Sequence, residues 1–505
     1  MSALYSIAEI RRIENAARAD LPPYTLMQRA GEACARLALS LTAAEDEAHV
    51  LILAGPGNNG GDALEAAYYL SQFDLHVAVA LHADATKQAD DARQALQRVR
   101  ESEVELLDIT APGHLASQRW SLVIDGLLGI GQSRPLVGKM RACVEYVNTL
   151  RCPVLAIDIA SGLQADTGSI IGGPGCIAVR ATHTLSFIGD KPGMHTCDGQ
   201  DFSGKISIDS LDIDDKHLVV AHAHLNELSL FSSALKPRAG NTHKGSYGDV
   251  IVVGGAHGMG GAPVLAARMA AHAGSGRVFI AFVDDAPAYD SVHPELMMRQ
   301  ADRMEFGAPT ATVVVGPGLG TSRHAHDVLA RALDAQGRIV IDADALNMIA
   351  AEPGLQHKLQ DRPPHSSIIT PHPLEAARLL DATTAEIQHD RPQAARLLAR
   401  HFKSIAILKG AGTVIALPDG EIVINTTGNP ALSTAGTGDV LSGLCGALLA
   451  QGWPTRQAAL AAVWMHGKAA DQLVELGVGP VGLTASEVVP AVRTLLNQII
   501  RDHAR

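Results

Sequence analysis

The chain has 505 residues, of which 47% are apolar and 19% charged, the balance of a soluble globular protein long enough for two or three domains with full cores. Its 41 basic and 53 acidic residues give a formal charge of −12 with no long basic run, which excludes sequence-independent nucleic-acid binding. Glycine reaches 48 residues while aromatics stop at 4%, a composition that fits a loop-rich small-molecule enzyme better than an interaction scaffold.

Residues 1–20 lack a basic segment followed by an apolar one, so no signal peptide is expected, and no uncharged apolar run reaches membrane-spanning length. The six cysteines are scattered and form no C-x-x-C pair. Neither a disulfide framework nor a zinc site is indicated, and reduced thiols in a cytoplasmic protein are the expectation.

In the first half, short β-branched runs at 49–55, 75–81, 121–126 and 152–159 read as buried strands, with helices at 62–72, 87–101 and 138–150 between them. Such alternation predicts a parallel sheet covered on both faces. The pattern turns irregular through 211–245, so a domain boundary is placed near residue 225. It restarts with strands at 249–255, 312–318, 338–344, 366–372, 404–410 and 421–427.

Ligands of open α/β sheets sit beyond the carboxyl ends of the strands, and the glycine-rich motifs follow strands. "PGNNGGD" after the first strand reads as a Gly/Asn loop before a helix. Its spacing is not G-x-G-x-x-G, and Asn58, Asn59 and Asp62 bring side-chain polarity that a phosphate loop does not require. "VIDGLLGIGQSRPL" presents Asp125 and "AIDIASG" presents Asp158 and Ser161. A lone strand-end Asp is commonly a cap or turn former. Asn and Ser oxygens with one carboxylate would suit a weakly bound monovalent cation.

These motifs, with "THTLSFIGDKPG", resemble the NAD(P)H-hydrate epimerase domain of the YjeF amino-terminal family. The resemblance implies a Rossmann-like three-layer domain over residues 1–220. In it Asn59, Asp125 and Ser161 would hold K⁺. Asn58, Asn59, Gly60, Gly61 and Asp62, with the loop Gly129, Ile130, Gly131, Gln132, Ser133, Arg134 and Pro135, would hold the substrate, and Asp158 would contact it at the reacting centre. The chain departs from the family pattern at Ala63 after the GGD, at Ala160 in place of proline, and at Gln28 in "LMQRAG".

In the second half, "HKGSYGDVIVVGG", "GPGLG", "DADALN", "TPHPLEAARLL" and "LKGAGT" precede "TGNPALSTAGTGDVLSGL". The turn 436–439 opens an apolar helix, whose first N–H groups and positive end favour an anion. Asp439 inside it is either a helix cap or the base of a phosphoryl transfer. Together and in this order the motifs resemble the NAD(P)H-hydrate dehydratase of the ribokinase-like superfamily, over residues 225–505. By that resemblance Lys409, Gly410, Ala411, Gly412, Thr413 and Gly438 would bind the adenine nucleotide, ADP in preference to ATP, accompanied by Mg²⁺. Ala262, Gly318, His372 and Asp439 would bind the hydrate, with Asp439 as the base, although two flanking prolines leave His372 an equally good turn former.

The expectation is a bifunctional enzyme acting on NADH hydrate and NADPH hydrate (NADHX and NADPHX). It would epimerise the R and S forms and dehydrate the S form while ADP becomes AMP and phosphate. A homo-oligomer is expected, with no nucleic-acid or membrane partner. The residues leave one rival, a ribokinase-like kinase of a small alcohol whose first half is a non-catalytic accessory domain. The histidine runs at 222–224 and 324–327 read as solvated, since neighbouring side chains point apart and no cysteine is near.

Overall fold

The computed structural model describes residues 2–45, 47–82, 89–107, 118–214, 219–308 and 310–503. They form two compact units, Ser2–Ala223 and His224–Arg505.

The first unit is built on β1 (His49–Ala54), β2 (His76–Leu81), β3 (Glu105–Leu107), β4 (Leu122–Gly126), β5 (Val154–Ile157), β6 (His183–Phe187) and β7 (Lys205–Asp209). They are ordered β3-β2-β1-β4-β5-β6-β7 and every pairing is parallel, as the alternation predicts. The chain leaves β1 for β2 on one side and returns to β4 on the other. The carboxyl ends of β1 and β4 therefore flank the switch point where such sheets open a crevice. The helices α1 (Ile7–Asp20), α2 (Thr25–Thr42) and α3 (Asn58–Leu70) cover one face, and apolar side chains bury on both.

The expected strands fall within one or two residues of the observed ones, but α3 differs in its start. Sequence reasoning places "GNNGGD" in a loop and begins the helix at residue 62, whereas the helix begins at Asn58. Packing explains this. A Cβ on Gly60 would lie 2.0 Å from the Gly55 carbonyl oxygen, and one on Gly61 would lie 2.4 Å from the Met27 methyl carbon. These glycines let a helix press against a turn and a neighbouring helix, and they tolerate helical backbone at modest cost. Of the helix expected at 87–101, residues 87 and 88 lie outside the described residues and the helix runs Asp90–Arg100. The expected boundary segment 211–245 likewise includes 215–218, outside the described residues.

In the second unit the main strands are β8 (Asp249–Gly254), β9 (Arg277–Phe282), β10 (Met297–Gln300), β11 (Ala311–Val315), β12 (Arg338–Ile341), β13 (Ser367–Ile369), β14 (Ile405–Leu408), β15 (Thr413–Ala416) and β16 (Ile422–Asn425). Their order is β16-β15-β14-β13-β12-β11-β8-β9-β10. The pairings are parallel from β10 to β14 and antiparallel from β14 through β16. The switch point lies between β8 and β11.

Four helices matter for the site: α4 (Gly261–His272), α5 (Ala343–Ala351), α6 (Pro373–Leu379) and α7 (Thr437–Ala450). Nearly all of α7 after Asp439 is buried, so its small residues serve contact rather than amphipathicity. A Cβ on Gly443 would sit 2.2 Å from the Ala266 carbonyl oxygen of α4. This close approach fixes the first turn of α7 above the sheet.

Candidate functional sites

At the switch point of the first unit lies a cavity of about 400 Å³. The first turn of α3 supplies Asn58, Asn59 and Asp62, the β4 loop supplies Gly129 to Gln132, and the end of β5 supplies Asp158. Gly60 and Gly61 do not line it but support the helix that does. Ser133 and Arg134 are exposed and Pro135 packs beside Gly172, so the expected substrate loop divides after Gln132. Ala63 is fully buried with its methyl turned to Gly126 on β4, outside the cavity lining.

Asp125 is fully buried at the end of β4. Its carboxylate accepts from the Ser161 N–H at 2.8 Å, the Ser161 hydroxyl at 2.7 Å and the Leu127 N–H at 3.2 Å. Burial pushes it up to about 6 against those hydrogen bonds. Ser161 Oγ also lies 3.1 Å from the Leu128 carbonyl, and the Asn59 side chain abuts Gly129 with its amide nitrogen buried and unpartnered. No Lys or Arg pairs with Asp125 among the described residues. Asn59, Asp125 and Ser161 are thus gathered around one buried negative charge.

Sequence reasoning did not single out Lys191. It is fully buried, and its ammonium donates to Asp158 Oδ1 at 2.7 Å and to Ser186 Oγ at 2.6 Å. Asp158 itself is in the left-handed region at φ 67°, a strained setting for a non-glycine residue that marks sites held by their surroundings. The signal was present in "GDKPG", where a lysine lies four residues beyond the end of the apolar strand β6.

The second unit gathers charged groups at the carboxyl ends of β12 to β14 and at the start of α7. Asp439 sits in the first turn of α7, after Gly436 at φ 90°, where the leading N–H groups of a helix have no intrahelical acceptor. Burial and the neighbouring Asp342 push Asp439 up to about 7, with Lys409 pulling down and Asp344 adding upward. Lys409 Nζ is 2.8 Å from Asp342 Oδ1 and 3.8 Å from Glu375 Oε2. Burial works against its charge, but Asp342 and Glu375 raise it above the ordinary lysine value. A Cβ on Gly438 would come within 3.5 Å of Lys409 Nζ, so Lys409, Gly438 and Asp439 share one site.

The loop carrying Gly410, Ala411 and Gly412 is the return turn between antiparallel β14 and β15, closed by the Thr413 hydroxyl donating to the Gly410 carbonyl at 3.1 Å. Beneath it the buried Arg391 donates to the Leu408 and Lys409 carbonyls. Ala262 and Gly318 meet across the switch point, the Ala262 methyl carbon lying 3.3 Å from where a Cβ on Gly318 would be.

His372 caps α6. Its Nδ1 accepts from the Leu374 N–H at 3.1 Å and the Glu375 N–H at 3.4 Å, and its Nε2 lies 3.1 Å from Glu375 Oε1. Asp342 and Glu375, which tie Lys409 in place, lie inside motifs noted in the sequence without being assigned a role. Among the described residues no group of three His, Cys, Asp or Glu side chains is placed to hold a metal ion. The histidines of 324–327 instead face carboxylates, His326 lying 2.6 Å from Glu352.

No disulfide joins any of the six cysteines, and among the described residues no helix is long and apolar enough to cross a membrane. Residues 23–193 match the family described as YjeF-related protein N-terminus, and residues 250–488 match the family described as NAD(P)H-hydrate dehydratase. The bifunctional NAD(P)H-hydrate repair enzyme Nnr of Coxiella burnetii is 35% identical over 98% of this chain and 100% of its own length. Its Escherichia coli counterpart is 35% identical over 98% and 94%. The ADP-dependent (S)-NAD(P)H-hydrate dehydratase of Neisseria meningitidis is 43% identical over 54% of this chain and 92% of its own. With two strand-end sites in two α/β units and relatives similar along its whole length, the chain belongs to the family of bifunctional NAD(P)H-hydrate repair enzymes.

Proposed function

We propose that residues 1–220 interconvert the R and S epimers of NADH hydrate and NADPH hydrate. Residues 225–505 then return the S epimer to NADH or NADPH while ADP is converted to AMP and phosphate. The observation that carries the second reaction is Asp439, a half-buried carboxyl in the first turn of a helix, beside an ion-paired lysine. Asp439 takes the proton of the ring hydroxyl as that oxygen attacks the terminal phosphoryl group of the nucleotide. Little driving force is needed, because positioning contributes most of the effect. The N–H groups of Gly438 and Asp439 and the Lys409 ammonium face the negative charge that moves during transfer. Phosphate then leaves far more readily than hydroxide, and elimination restores the reduced nicotinamide.

Ala262 and Gly318 leave room for the flat ring, His372 borders it, and the turn Lys409–Thr413 with Gly438 holds the nucleotide. The "ADP-dependent" name of the Neisseria relative favours ADP over ATP. Mg²⁺ accompanying the nucleotide would spread the charge of its phosphates.

In the first half, Asn58, Asn59, Asp62, the loop Gly129–Gln132 and Asp158 hold the hydrate. The oxygen donors of Asn59, Asp125 and Ser161 suit K⁺, whose charge would compensate the buried Asp125 carboxylate, beside which no cationic side chain lies among the described residues. K⁺ there would fix the β4 loop and compensate Asp125. A homo-oligomer in the cytoplasm completes the reading, the latter supported by six cysteines with no disulfide among them.

The test is incubation of the purified protein with mixed R/S NADH hydrate, K⁺, Mg²⁺ and ADP or ATP, following NADH absorbance. Complete recovery with one phosphate released per NADH supports both activities and names the nucleotide. Recovery that stops when the S epimer is exhausted removes the epimerase, and a stable phosphate ester returns the kinase alternative.

A further inference from the structure

Of the three carboxyl groups that line the cavity of the first unit, Glu14, Asp62 and Asp158, the last two lie in opposite surroundings. Asp158 is ion-paired to a lysine that has no exposed surface. The remaining neighbours of that ammonium are neutral oxygens, the Ser186 hydroxyl at 2.6 Å and the Phe187 and Gly189 carbonyls at 3.4 Å. A buried ammonium needs an anion, because separating the two costs several kcal/mol. Its geometry also fixes where the Asp158 oxygens lie.

Asp62, four residues into α3, has no hydrogen-bond or ion-pair partner among the described residues. Burial, then the charges of Asp158 and of Glu14 on α1, raise it well above the usual carboxylate range. Arg18 of α1 pulls it down and Glu65 of α3 adds upward, while the thiol facing it from α2, Cys34, is itself raised by burial. Paired carboxyl groups with environments this different divide acid from base.

We infer that, on the epimerase reading above, Asp62 is the proton donor and Asp158 the proton acceptor of the first unit's reaction, with Lys191 as the positioning residue that fixes this division. The hydrate carries its hydroxyl on the ring carbon bonded to the ring nitrogen. Asp158 takes the hydroxyl proton, the carbon–oxygen double bond forms and the carbon–nitrogen bond breaks. The electron pair goes to the nitrogen, which receives the proton of Asp62. The aldehyde arm rotates, and the nitrogen adds to its other face. Its proton returns to Asp62 and the alkoxide recovers the proton of Asp158. No oxidant, reductant or nucleotide is consumed, and every proton ends where it began.

The experiment follows R-to-S conversion of NADH hydrate by chromatography, with K⁺ present and nucleotide omitted so that the second unit cannot consume the S epimer. The wild type is expected to show a rate that falls on the high-pH side of its profile as Asp62 loses its proton. Asp62→Asn lowers kcat by about 10²-fold or more and abolishes that high-pH limb. Lys191→Met lowers kcat by at least about tenfold with little change in KM, and Lys191→Arg restores most of it. An Asp62→Asn enzyme that keeps its high-pH limb overturns the donor assignment. A Lys191→Met effect confined to KM, or one that arginine does not rescue, overturns the positioning role. A wild type that dehydrates S-NADH hydrate but never converts R to S refutes the epimerase reading itself, and this inference with it.

Discussion

Replacing Asp439 by asparagine separates catalysis from stability in a way the structure makes quantitative. The carboxyl is carried from an ordinary value of 3.8 to about 7, chiefly by burial and by Asp342. The native protein therefore binds a proton that the unfolded chain has released between those values, and stability falls as pH rises through that window. A shift of about three units corresponds to about 4 kcal/mol as an upper bound, and partial exposure of the side chain reduces this to about 1–2 kcal/mol. Asp439→Asn removes the ionisable group but keeps its shape. The variant is expected to lose about 10²- to 10⁴-fold in dehydratase turnover, the range for a positioned base. At pH 8 its second unit should melt about 2–6 °C higher than the wild type, and at pH 5 the gain should shrink to about a third of that. Parallel assays of NADH recovery and of thermal unfolding by calorimetry at the two pH values read both effects. A variant that keeps more than a tenth of the wild-type rate, or that melts lower at pH 8, would refute the reasoning.

If the same group is the base as proposed, the wild-type dehydratase kcat/KM should show an acid limb centred near pH 7, with full activity above it, because the base works only when ionised; a flat profile from pH 5 to 8 contradicts this. Lys409→Met leaves the nearly fully buried Asp342 without its cation, and should destabilise the second unit by about 3 kcal/mol and raise the KM for nucleotide at least about tenfold. Unaltered melting and KM would remove Lys409 from the site. Transfer into K⁺-free buffer should slow R-epimer conversion and lower the melting temperature of the first unit, with K⁺ but not Li⁺ restoring both; indifference to the cation would dismiss the Asn59–Asp125–Ser161 assignment. Ala63→Gly should leave the epimerisation rate within about twofold, since its methyl faces Gly126 rather than the cavity. It should cost about 1 kcal/mol of stability through helix propensity, and a rate change above fivefold would place Ala63 at the substrate after all.

The parallel sheets were legible because fully buried strands read as unbroken β-branched runs, as in residues 249–254 and 311–315. Arg277–Phe282 went unassigned because charged and small residues interrupt its ends, and its strand character comes from pairing with β8 across six residues. The start of α3 was misplaced for a different reason. Propensity argues against Asn-Asn-Gly-Gly as a helix, but contacts with Gly55 and Met27 override it. For the sites, Asp125, Asp158 and Asp439 were visible because each follows a strand or opens a helix beside glycine. Lys191, Asp342 and Glu375 act through residues that the fold brings from elsewhere in the chain, such as the 67 positions between Asp342 and Lys409. Spacing alone carries no record of such pairs.

The return turn between β14 and β15 departs from the rest of its sheet. Elsewhere in that sheet carboxyl ends of strands lead into helices or loops that carry Asp342, Glu375 or the Ala262–Gly318 contact, so a change in one disturbs several contacts. This turn joins two antiparallel strands and is anchored from below by Arg391, leaving Gly410 and Ala411 on the surface. Its length and composition are therefore free to drift without moving Asp439 or the helix that carries it. If this turn holds the nucleotide as proposed, nucleotide choice and bond chemistry would be mechanically separable in this half of the molecule, and a change of phosphoryl donor could evolve by rewriting a few surface residues while the reacting centre stays as it is.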